Sequence, residues 1–235
     1  MQITDRIDKN EFLEQYDRGR RDFSNINMTR VNLQKINLNR VNFANANLEG
    51  TDFEGTTLTD VNFTGAKLRG AVFNYANLEG VKLSVADLRF SNFALASLLR
   101  VEALLTRFEN SCLLTTKIID SRFLRCFFAN VDFTDAIAIN TEFSRSDFTF
   151  ANLQQLVLNN VNLSYSYFHA ARFDEIDLTQ TSLFGMTLTE AQLSKAIFFE
   201  HQLQHLKLIR QPWWQKVIVK AGINSKSTTQ RRIEK

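Results

Sequence analysis

Residues 41–60 read VNFANANLEGTDFEGTTLTD, and within them Phe43, Leu48, Phe53 and Leu58 stand five apart. Two places before each comes a smaller residue: Val41, Ala46, Thr51 and Thr56. Neither an α-helix nor a simple strand repeats at this spacing. Followed in both directions, the register runs without a slip from Phe23 to Leu208, through 38 positions of which 34 are Leu or Phe. The others are Met28, Ala103, Ile118 and Ala138. The residue two places earlier is Ala, Val, Ile, Ser, Thr or Cys in 33 of the 38 units, and the residue between is Asn or Asp in 16.

Self-similarity of this regularity predicts a solenoid. An inward residue and a smaller one two places earlier follow strand alternation, which leaves the remaining residues to turn a corner. Four such units close a squared coil, so the 38 units predict nine to ten coils stacked into a rod of about 45 Å. Side chains one coil apart then form ladders: Phe53, Phe73 and Phe93, and Phe108, Phe128, Phe148 and Phe168. Gly50, Gly55, Gly65, Gly70, Gly80 and Gly185 all fall at the corner, where a positive φ favours glycine.

In Val31-Asn32-Leu33, Ala46-Asn47-Leu48, Ala86-Asp87-Leu88 and Ala151-Asn152-Leu153 the unit resembles the A(D/N)LXX repeat of the pentapeptide-repeat family, and the likeness covers nearly four-fifths of the chain. It implies an all-β, right-handed quadrilateral β-solenoid with short α-helical caps, working by binding and without a cofactor. It also implies a homodimer through the C-terminal end. Some members mimic duplex DNA and bind type II topoisomerases such as DNA gyrase, which requires a dense negative surface. Residues 23–208 carry 16 basic and 18 acidic side chains, nearly neutral, and contain no insertion that breaks the register. Both features speak against a DNA mimic.

The ends read differently from the body. Residues 1–22 are expected to hold a capping helix over Asp8 to Asp17, with Asp8 as N-cap, Phe12, Leu13 and Tyr16 as its apolar stripe, and Gly19 as its stop. In residues 209–235, Pro212 opens a second helix with Trp213, Trp214, Val217 and Ile218 on one side and Lys216 and Lys220 on the other. That apolar face either covers the last coil, supports the dimer, or holds the chain on anionic lipid as a peripheral membrane protein. Residues 209–235 carry 7 basic and 1 acidic side chains, and beyond Gly222 the composition predicts a disordered tail that touches phosphates without reading bases.

No run of about 18 apolar residues is present, and Met1 to Asn10 lacks the pattern of a secretory signal, so a cytosolic, bacterial-type protein is expected. Cys112 and Cys126 fall on different sides of the repeat and are expected to be free thiols. His201 and His205 have metal-pair spacing only if their segment is helical, and the repeat register runs through it. Acidic pairs such as Asp132 with Asp135, or Asp174 with Asp177, have no nucleophile or phosphate loop beside them. The chain therefore reads as a non-enzymatic protein without a metal site.

One feature of the outward positions is anomalous. Leu99, Ile119 and Ile139 share a column, with Ile137, Val157 and Ile197 on the other flank of the same face and Leu104 and Leu124 on the next. Facing out, they form an apolar interaction surface for a protein partner or a second copy. Turned inward, they fill space left by Ala103 and Ala138.

Overall fold

The computed structural model describes residues 6–209, apart from Glu175. The chain winds into a right-handed quadrilateral β-solenoid in which the outward residue of each unit pairs in parallel with the one 20 places on. The first face is a seven-stranded sheet of Asn37–Asn39, Thr57–Thr59, Asn77–Glu79, Ser97–Leu99, Lys117–Ile119, Ile137–Ile139 and Val157–Asn159. Mostly single bridges build the other three, from Asp22 to Asn162 on the second face, Asn27 to Thr187 on the third and Asn32 to Arg172 on the fourth, with short strand pairs such as Glu102–Leu104 with Arg122–Leu124 on the second.

The five-residue unit follows from three local devices. The large residue points inward, and the rings stack one coil above another: Phe53 on Phe73 at 4.9 Å, Phe73 on Phe93 at 4.6 Å, and Phe148 on Phe168 at 4.8 Å, all within 6° of parallel. The smaller residue also points inward, where Ser or Thr is accepted because its hydroxyl has a partner. Thr56 donates to the Leu33 carbonyl, Thr106 to Leu83 and Thr116 to Phe93. The Asn or Asp between them faces out, and its Oδ1 accepts the backbone N–H two residues on, as Asn42 does from Ala44 and Asp132 from Thr134. Such Asx turns start the corner.

The corner itself needs left-handed backbone. Positive φ recurs at every fifth residue from Asn25 to Ala170, on seven glycines counting Gly19 and Gly185 but also on 25 other residues. Glycine is therefore not demanded by φ alone. At Gly80 a Cβ would lie 2.5 Å from Asp60 Oδ1, and at Gly185 it would lie 2.7 Å from the Tyr165 ring. There the side chain one coil below leans over the corner and leaves no room.

At the N-terminal end, α1 (Lys9–Asp17) lies over the first coil, capped by Asp8 Oδ1, which accepts from the Glu11 N–H at 2.9 Å. Phe12 is fully buried, 4.7 Å from the Phe23 ring, and the Tyr16 hydroxyl accepts from the Asn39 N–H. Tyr16 thus occupies a donor on the exposed edge of the seven-stranded sheet, which blunts that edge against strand addition.

The far end departs from the expected regularity. Strand Lys207–Ile209 pairs with Thr187–Thr189 in the 20-residue register, but between them the chain forms a helical turn, α2 (Glu190–Leu193), and a 3₁₀ turn (Glu200–His205). The solenoid has about 8 regular turns, fewer than nine to ten, because these helical turns replace the last flat rungs. Leu203, an inward position by register, is 38% exposed, while Gln202 is buried in its stead. The expected helix bearing Trp213, Trp214, Val217 and Ile218 lies outside the described residues.

Phe128 touches the rings of Phe108, Phe123, Phe133, Phe143 and Phe148. Phe128→Ala is expected to destabilise the rod by about 3–5 kcal/mol, read as a lower denaturant midpoint by circular dichroism. Val85 is a β-branched residue at φ 58° whose side chain is 60% exposed. Val85→Asn places at this left-handed corner a residue that tolerates it, at no cost in packing, and is expected to raise stability by about 1 kcal/mol in the same assay.

Candidate interaction surface

Leu99, Ile119 and Ile139 are consecutive partners on the first face, and the same sheet pairs Ile137 with Val157. Leu104 pairs with Leu124 on the second face. All seven side chains point away from the core: Leu104 and Val157 are exposed, and Leu99, Ile119, Leu124, Ile137 and Ile139 are half-buried by their neighbours along the ladder. Ala103 and Ala138 stay inside, at 3% and 0% exposure. The small core residues do not draw their neighbours inward, since strand alternation ties each inward position to two outward ones. Ile197, on the same face further along, is exposed as well.

Corner residues enlarge this surface beyond what the outward columns foretell. Leu95, Leu105 and Leu114 are exposed, and Tyr75 and Leu95 sit at one corner in successive coils. The stretch from Leu95 to Leu124 therefore carries apolar side chains on the first, second and fourth faces and on two corners. The missed signal was the corner position, where a Leu projects whatever its hydrophobicity. Polar residues bound the patch on the first face: Arg100 pairs with Glu79, and Asn160, Asn140 and Asp120 form a side-chain ladder at 3.0 and 2.9 Å.

The remaining candidates fall apart chemically. His201 and His205 do lie in a helical turn, contrary to the register reading, but it is 3₁₀, in which residues four apart do not share a face. Their rings rest against different aromatics, Phe199 and Phe184. Among the described residues no group of three or more His, Cys, Asp or Glu could hold a metal ion, and no helix is long and apolar enough to cross a membrane. Asp132 is engaged by the Thr134 hydroxyl and N–H, and Asp174 by Gln154 and Lys195. The hydrogen bond from Gln154, then that from Lys195, holds the Asp174 carboxyl below the usual range, as the bond from Arg89 does that of Asp87.

A model of pentapeptide repeats matches residues 22–60, 36–74, 62–98, 126–164 and 162–198 in 8 copies. The chain belongs to the pentapeptide-repeat family. Solved members similar to it include HetL, a protein involved in heterocyst differentiation regulation from the cyanobacterium Nostoc sp. strain PCC 7120, at 17% identity, covering 82% of this chain and 91% of HetL with a TM-score of 0.38. QnrB1, a plasmid-mediated fluoroquinolone resistance protein, is 14% identical, with coverage of 83% and 96% and a TM-score of 0.39. No curated protein matches the chain. In the family's terms, Leu99, Ile119, Ile139, Leu104 and Leu124 occupy the first X of the A(D/N)LXX unit, while Ile137 and Val157 stand where the unit has Asp or Asn.

Both cysteines are free, and they differ in reach. Cys126 fills a small inward position, and desolvation pushes its thiol up to about 12, so it stays protonated at neutral and mildly alkaline pH. Cys112 faces out on the fourth face, half-buried. Iodoacetamide at pH 8 is expected to add one equivalent to the native protein, at Cys112, and a second only on unfolding, as read by peptide mass spectrometry.

Proposed function

We propose that the protein is a non-enzymatic, cytosolic interaction scaffold whose rigid rod presents the apolar patch around Ile119 to a protein partner or a second copy. The carrying observation is the outward column Leu99, Ile119 and Ile139, with Ile137 and Val157 beside it, on a sheet whose own core is already filled. Monomeric proteins rarely leave contiguous apolar area of this kind uncovered. Parallel strands stacked on a common axis bend little, which suits a surface that must meet its partner without rearrangement.

The DNA-mimic reading finds less support in the same surface. Carboxylates alternate with cations along the third face, where Lys67, Arg69, Asp87, Arg89, Arg107 and Glu109 follow one another. On the fourth, Asp52 and Glu54 are separated from Asp132 by the neutral Val72, Asn92 and Cys112. A strip of negative potential is what binding a phosphate-reading site would require.

Ile119→Asp places a charge at the centre of the patch while leaving the inward Ile118 untouched. Association, measured by light scattering of the purified chain and by affinity capture beside the wild type, is expected to fall at least tenfold with the β-type circular dichroism unchanged. Undiminished association would remove the patch as the interface.

A further inference from the structure

Away from the apolar patch, the corner between the third and fourth faces is interrupted. Its successive residues are Arg30, Gly50, Gly70 and Phe90, so two rungs, roughly 10 Å of corner, carry no side chain between an arginine and an aromatic ring. The result is a notch of about 580 Å³, within the range of small-molecule sites. Gly70 needs explanation, because a Cβ there would meet nothing within 4 Å, and non-glycine residues hold the same φ at 25 positions. Room is left where none is required by packing.

Charge converges on the notch. Arg6, Arg30 and Arg69 line it against a single carboxylate, Glu49, and none of the three arginines is ion-paired among the described residues. Two are held in place: Arg6 donates to the Thr29 carbonyl at 3.1 Å, and the Arg69 guanidinium lies 4.5 Å from the centroid of the half-exposed Phe90 ring. The Arg30 side chain leans over Gly50, its Cγ 3.2 Å from where a Cβ would stand, so the cationic end at Arg6 and Arg30 is separated by one open rung, at Gly70, from a flat stack of guanidinium on phenyl. Guanidinium groups match phosphate oxygens by geometry as well as charge, and nucleobases stack on aromatic rings and on arginine planes. A carboxylate side chain of a peptide would satisfy the first end only.

We propose that this notch binds a mononucleotide, with the phosphate on Arg6 and Arg30, the base on the Phe90–Arg69 stack, and Glu49 accepting from a sugar hydroxyl. The site is independent of the apolar patch and of the scaffold reading.

Calorimetric titration of the full chain with AMP at low salt tests it. Saturable one-to-one binding is expected, weakened at least tenfold for adenosine, which lacks the phosphate, and for pyrophosphate, which lacks the ring. Gly70→Asn, which fills the notch with a residue that tolerates positive φ, and Arg30→Gln, at an exposed side chain, should each weaken AMP at least tenfold with unchanged circular dichroism. If Gly70→Asn does not fold, Arg30→Gln decides alone. No saturable binding, AMP affinity unchanged in the folded variants, pyrophosphate bound as tightly as AMP, or a single-stranded oligonucleotide preferred tenfold over AMP would each overturn the proposal.

Discussion

Everything in this molecule depends on turning the chain through left-handed backbone at every fifth residue. For a residue with a side chain that conformation costs about 1–2 kcal/mol. The offset comes from the inward side chain of the same unit, whose full burial is worth about 1.5–3 kcal/mol, but only once another coil lies above or below it. A lone coil would bear the cost of four corners and leave its rings half in water. Stability is therefore a property of neighbouring coils, as in other repeat proteins, and the ends, which have one neighbour, must be closed by other means.

This constraint divides the surface into positions with different duties. Inward residues are committed to winding the coil, as is the middle residue where it is Asn or Asp; the other outward positions and the corners are free of that task. Chemistry directed at other molecules can be written only on those free positions. Leu95, Leu105 and Leu114 use them to widen an apolar surface, and Arg30, Gly50, Gly70 and Phe90 use them to open a notch. Neither feature disturbs the ladders beneath, which is why so regular a body can carry different surfaces on different faces.

The same division explains what could be read in the sequence. The period, the inward ladders and the outward column at Leu99, Ile119 and Ile139 follow from spacing alone, because a register of five determines which side chains share a column, and the α1 cap follows from Asp8 and the stripe of Phe12, Leu13 and Tyr16. The Asx turns, the hydroxyl bonds of Thr56 and Thr106 and the notch were not legible in that way. The Asx turns are bonds to a particular atom two residues on, and the Thr56 bond reaches Leu33, 23 residues back; a register of five says which side chains share a column and is silent about such atom pairs. The corner glycines do turn at positive φ, as their position leads one to expect, but φ is not the whole reason for them. Most corners are turned at the same φ by other residues, and Gly80 answers also to the Asp60 side chain below it, which spacing does not reveal.

The C-terminal coil shows how a fold of this kind stops while its sequence still keeps time. In a regular coil the backbone N–H of the outward residue donates to the carbonyl 21 places earlier, as Asn92 does to Ala71, and a Thr hydroxyl beside it reaches the carbonyl 23 places earlier. At α2 the chain lifts into a helical turn, and the Gln192 N–H is taken by the Thr189 hydroxyl. Its side-chain amide then donates to both Ala171 and Phe168, supplying the bond its own backbone has given up and the one a Thr would have made. Gln202 repeats the arrangement at Thr181 and Leu178, ten residues on. Burying an uncharged amide is tolerable only because both its hydrogens and its oxygen are used, the oxygens accepting from the Thr189 and Phe199 N–H groups. The five-residue rhythm of Leu193, Phe198 and Leu203 hides this substitution completely. A side chain with the right reach can stand in for a strand, and the solenoid ends without exposing the carbonyls of its last complete coil.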